Sequence, residues 1–177
     1  MRHGSLIRFV GPPIAVAAAV HAGWATVYLT VEQLQRQYFP GEKLCATTVA
    51  LTPEQAKAIE KRARAKAKGW RPDVWRASDG SALVVDRVLG KHENITYAVV
   101  LDATGGVRAV EILEYRETYG GEIRGERWRQ QFHGKTAGSP VQLGKDIKNI
   151  SGATLSCRHV TDGVRRVLAL RQVALGG

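Results

Sequence analysis

Residues 82–115 read ALVVDRVLGKHENITYAVVLDATGGVRAVEILEY, and their pattern decides the fold. Val, Ile and Tyr crowd the runs 82–89, 95–101 and 107–115, the residue types that suit a pleated sheet. The break Asp102-Ala103-Thr104-Gly105-Gly106 is turn chemistry and predicts a hairpin between the last two runs. Upstream, a strand-like run at 73–77 leads into Ser78-Asp79-Gly80, a second hairpin signal.

Helix signals lie on both sides of this core. Thr30-Val31-Glu32-Gln33 and Thr52-Pro53-Glu54-Gln55 each have the form of a capping box. The first predicts a short helix to about Tyr38, ended by Pro40-Gly41. The second predicts a helix carrying Ala56, Ile59 and Ala63, with Pro53 at its first position. A short helix is expected over 126–132. After Gly144 the chain turns through Asn149-Ile150-Ser151-Gly152 into a final helix. There Val160, Val164, Val167 and Leu168 fall at i, i+4, i+7 and i+8, one apolar stripe. The fold class is α+β: a single domain with an antiparallel sheet packed with helices. The sequence shows no internal repeat and no low-complexity tract.

Composition narrows the function. The 177 residues are 44% hydrophobic and 24% charged, which excludes a wholly disordered chain. Lys plus Arg minus Asp plus Glu is 26 − 16 = +10, so nucleic acid, anionic lipid and phosphorylated ligands are all open as partners. Residues 57–68 hold six basic side chains, read first as a solvated helix face and second as a nucleic-acid surface. Two cysteines, Cys45 and Cys157, cannot alone make a zinc finger or an iron–sulfur site. No paired carboxylates and no Ser/His/Asp arrangement commit the chain to hydrolysis.

The N-terminus has the form of a targeting segment. Arg2, His3 and Arg8 precede an apolar run, and Val20 and Ala22 suit a cut after Ala22. That pattern predicts a signal peptide over 1–22. The alternative is an uncut anchor, since 9–29 carries no formally charged residue. Either reading puts the remainder outside the cytoplasm, with the periplasm the expected place, where Cys45 and Cys157 could pair and where nucleic acid is a distant partner. The expected division is 1–22 targeting segment, 23–89 first helices and strands, and 90–177 the functional core.

The chemistry gathers at Ser151-Gly152-Ala153-Thr154-Leu155-Ser156, placed just before the last helix. Gly152 permits a tight turn or close approach to a ligand. Ser151, Thr154 and Ser156 offer three hydroxyls. The free N–H groups of a helix start favour an anion, with phosphate the natural guest. A plain alternative is that Ser156 only caps the helix.

This hexapeptide resembles the flavinylation motif of the FMN-binding domain family, which includes FMN-carrying subunits of the sodium-pumping quinone reductase and of the Rnf complex. Gly90-Lys91-His92-Glu93, the stretch 115–121 and the stretch 128–135 are also similar to that family. The resemblance implies FMN as cofactor, joined to Thr154 through a phosphoester that a magnesium-dependent flavin transferase makes from FAD. It implies that Ser151, Gly152, Ala153, Leu155 and Ser156 surround the attachment point. It implies that Glu117, Thr118, Tyr119 and Gly120 line the flavin, with Thr118 bonding it and Tyr119 packing on a ring. Lys135 is expected to offset phosphate charge, and Arg158 is a weaker candidate for the same task. Two departures stand out. Lys148 occupies the usual acidic position six residues before the threonine, with Asp146 the nearest acid, and Glu122 replaces the second loop glycine.

The implied work is electron transfer, with a membrane reductase or cytochrome as partner. Alternatives are a membrane-associated binding module without redox function and a flavin-dependent reductase with its own substrate. Trp128 and Phe132 read as core aromatics; Glu93 could orient the His92 imidazole, but a lone histidine beside a strand is usually structural or exposed. Cys157, near a helix start, could have a lowered thiol pKa, but a small buried cysteine is the commoner case.

Overall fold

A computed structural model describes residues 26–176, so the expected targeting segment 1–22 lies outside the described residues. The chain builds a six-stranded antiparallel sheet in the order β1-β6-β5-β4-β3-β2. β3 (Asp73–Arg76), β4 (Ala82–Leu89), β5 (Asn94–Leu101) and β6 (Val107–Tyr115) fall within a residue of the runs read from the sequence. The edge strands β1 (Thr26–Val27) and β2 (Cys45–Thr48) are additions. Thr26 pairs with Tyr115 and Val27 with Glu114, so residues 26–27 lie along the sheet edge.

Both faces of the sheet are covered, which explains why β5 is apolar along nearly its whole length instead of alternating. On one face Val84, Ile95, Tyr97 and Val99 pack beneath α2 (Pro53–Ala63) and α4 (Thr154–Ala174). On the other, Leu83, Val85, Ala98 and Val100 meet Leu34 and Phe39, from α1 (Val31–Tyr38) and its C-cap. Both capping boxes form, with Gln33 and Gln55 bonded reciprocally to Thr30 and Thr52. α3 (Glu126–Arg129) runs straight into a 3-10 turn over Gln130–Phe132.

The apolar stripe of α4 is buried as expected: Val160, Val164, Val167 and Leu168 are at most 2% exposed. One polar knot ties the helix to the sheet. Buried Asp86 accepts from Trp70 Nε1 (2.8 Å), Tyr97 Oη (2.8 Å) and Arg166 (2.6 Å). Arg166 also donates to Lys66 O and lies over the Trp70 ring. The helix that carries the motif is therefore held at its middle by charge as well as by packing. The basic residues of 57–68 are exposed or point away from the core, in keeping with a solvated face. Cys45, on the exposed edge strand, and Cys157, buried in α4, are both free, which answers the question of pairing that the sequence left open.

Candidate functional site

The site forms at the end of the sheet where β4 and β6 finish and α4 begins. α4 starts earlier than the sequence suggested: Ala153 is its N-cap, and Thr154 its first residue. The motif is thus the first turn of the helix and not a loop before it. Ala153 supplies no side-chain cap. Ser156 does not cap either; its hydroxyl pairs with Tyr115 Oη at 3.2 Å. The first N–H groups of the helix have no partner within it and are open to an incoming acceptor.

The first turn is held from two sides. Tyr115 Oη donates to Tyr119 O (2.5 Å), so one phenol links the end of β6, the 117–121 loop and α4. Gly120 and Gly152 sit at φ +86° and +83°, left-handed positions that side-chain-bearing residues avoid. On the other side, Trp128 Nε1 donates to Lys148 O (2.9 Å), and Lys148 N–H donates to Gln131 Oε1 (2.7 Å). Trp128 and Gln131 therefore hold the peptide that precedes the motif. This clamp touches only backbone at residue 148, so it accepts lysine as readily as an acid. Trp128 and Phe132 are buried and stack edge to face at 5.2 Å, as core aromatics should.

A cleft of about 480 Å³ opens beside this turn. Glu117, Thr118 and Tyr119 form one wall, Gly152 to Ser156 the other, and Lys91 and His92 the rim. Tyr119 is 82% exposed and Leu155 41%, two apolar flanks with no protein cover. Glu117 has a role that sequence reasoning missed. Its carboxylate accepts the N–H groups of His92 (2.6 Å) and Glu93 (3.0 Å), which fixes the rim. Burial raises its pKa, but the backbone bonds from Glu93, His92 and Lys91 outweigh that, and the net position is below its ordinary 4.5. A carboxylate depressed in this way holds its partners above its ordinary range and releases them as pH falls through the lowered value. Glu117→Gln should therefore loosen the rim at neutral pH and weaken ligand binding several-fold, and the wild type should lose the same affinity only as pH falls below the ordinary carboxylate range. Ligand titration across pH checks both.

The structure revises several of the expected roles. Lys135 does not line the cleft. Its ammonium pairs with Asp146 at 2.8 Å, within the loop that α3 packs against. Asp146 in turn spends both oxygens on Lys135, Val141 N and Gln142 N, so it is not a free acid that replaces the one missing at 148. The Cys157 thiol is not activated; burial pushes it above its ordinary 9.0. Ser151 and Gly120 flank the cleft without lining it, and Arg158 is exposed on α4 outside it.

The family model described as FMN-binding domain matches residues 90–169. Over these residues the chain is similar to FMN-binding domains. The matched region runs from the rim loop to the C-terminal half of α4 and contains every residue that lines the cleft. No curated protein and no solved structure matches the chain. FMN is the cofactor, and the residues present fit it. The cleft lies within the size range of cofactor sites. The Tyr119 and Leu155 flanks suit a flat apolar ring, and the uncapped helix start suits a phosphate.

Proposed function

We propose that this chain is an exported electron-transfer protein that carries FMN as a phosphoester on Thr154. The observation that supports it most is the place of Thr154 itself. It is the first residue of α4, exposed, in the wall of the cleft, beside helix N–H groups that favour a phosphate. Attachment from FAD forms a bond from Thr154 Oγ1 to the phosphorus on the flavin side. The bond to the adenylate phosphate breaks, AMP leaves with the electron pair, and the hydroxyl proton goes to a base of the transferase.

Bound flavin supplies one- and two-electron redox chemistry. The chain supplies position. Thr154 fixes the phosphate end, the 117–119 wall flanks the ring, and the Tyr115 hydroxyl holds the two walls together. A covalent link keeps the cofactor from diffusing away outside the cytoplasm. The flavin transferase is the partner for attachment, and a membrane reductase or cytochrome the partner for electrons. Export rests on residues 1–22, whether cut or kept as an anchor, and the net charge favours an acidic docking partner.

Thr154→Ala should abolish covalent flavin while leaving the thermal unfolding midpoint within about 2 °C, because the side chain is exposed. Flavin fluorescence of the denatured protein on a gel, after co-expression with the transferase, reads this directly. A fluorescent band in the variant contradicts the assignment.

A further inference from the structure

We infer that Asn149 is a positioning residue for the attachment reaction, an inference that rests on the phosphoester reading. Asn149 Nδ2 donates to Thr154 Oγ1 at 2.9 Å. A threonine hydroxyl has one O–H and two acceptor lone pairs. Asn149 occupies one lone pair and so sets the rotation of the group. The other lone pair and the O–H are left for the incoming phosphorus and for the base that takes the proton.

The bond matters because both of its ends are fixed. Thr154 belongs to the first turn of α4, whose next turn packs on the core through Cys157 and Val160. Asn149 follows directly on Lys148, whose N–H and C=O are both clamped by Gln131 and Trp128. Ala153 N–H closes the intervening turn on Ile150 O at 3.0 Å. Two exposed polar side chains on unheld loops would exchange partners with water. Here the backbone on either side is anchored, so the amide meets the hydroxyl without further ordering of the chain. Thr154 loses rotational freedom before the transferase arrives, which is the kind of preorganisation that speeds a displacement.

The same arrangement accounts for the lysine at 148. The clamp uses only its backbone, and the neighbouring amide, not the side chain at 148, touches the acceptor hydroxyl. Orientation of the nucleophile in this chain is thus a neutral, hydrogen-bonding task assigned to residue 149.

The test is the rate of flavin attachment to the purified full chain, with transferase, FAD and Mg²⁺, for wild type, Asn149→Ala and Asn149→Gln. Asn149→Ala should lower kcat about tenfold with KM for the chain unchanged, since docking surfaces are intact. Its thermal midpoint and its affinity for noncovalent FMN should match wild type. Asn149→Gln keeps an amide donor and should recover most of the rate. Equal kcat for Asn149→Ala and wild type overturns the inference and leaves the phosphoester reading standing. A rise in KM at unchanged kcat also overturns it, because that marks a docking residue. A wild-type chain that takes no flavin on Thr154 overturns both.

Discussion

Gly163→Ala should destabilise the domain by about 3–5 kcal/mol, an unusually large effect for one methyl group. Gly163 lies at the centre of α4 where the helix crosses β5. A Cβ built there would stand 2.0 Å from Tyr97 Oη and 2.7 Å from Tyr97 Cζ. Tyr97 has nowhere to go. It is fully buried, and its hydroxyl is committed to Asp86. Either the helix lifts from the sheet or the phenol leaves its partner inside the core. The first loses packing along the apolar stripe; the second leaves a buried hydroxyl and carboxylate short of a bond. Alanine would recover about 1 kcal/mol of helix propensity, too little to offset this. Thermal unfolding should show a drop of about 10 °C. A midpoint within about 2 °C of wild type would mean that α4 does not cross β5 at this distance.

Asp86→Ala should cost a similar amount, about 3–5 kcal/mol, by a different route. The Asp86 and Arg166 side chains are 5% and 14% exposed, so removing the carboxylate strands a guanidinium in a poorly solvated place. Trp70 Nε1 and Tyr97 Oη lose their acceptor at the same time. Asp86→Asn retains an acceptor oxygen and should lose less. The double change Asp86→Ala with Arg166→Met should be more stable than Asp86→Ala alone, because the orphaned charge is then gone. Urea unfolding of the four proteins gives the comparison. A double variant no better than the single would show that the ion pair is not what ties α4 to the sheet. Because α4 carries the motif on its first turn, both variants should also weaken FMN binding.

The central strands were legible because burial on both faces makes them almost uniformly apolar, and Asp102 to Gly106 marks their turn without ambiguity. The edge strands were not. Thr26–Val27 is two residues long, and Cys45–Thr48 reads Cys-Ala-Thr-Thr and is mostly exposed, so neither carries a hydrophobic pattern. The start of α4 was misplaced by the expectation that a helix begins on a polar cap, whereas Ala153 takes that place and leaves the N–H groups free. That omission is itself informative, since an empty cap is what an anion site requires. Lys135 is drawn to the phosphate by its place in the family-like stretch 128–135, and only the structure shows Asp146 holding it. Glu117 was read as a flavin contact, and its backbone bonds to the 92–93 rim were invisible because the partners lie 24 and 25 residues away. Asn149 left one usable trace, a short amide side chain five residues before the acceptor threonine across a Ser-Gly turn.

The measurement that tests the account most directly is the intact mass of the protein purified from its native host under denaturing conditions. The account predicts a species heavier by one FMN less one water, with the added mass on the peptide that contains Thr154. An unmodified mass, or the flavin on any other residue, would contradict it.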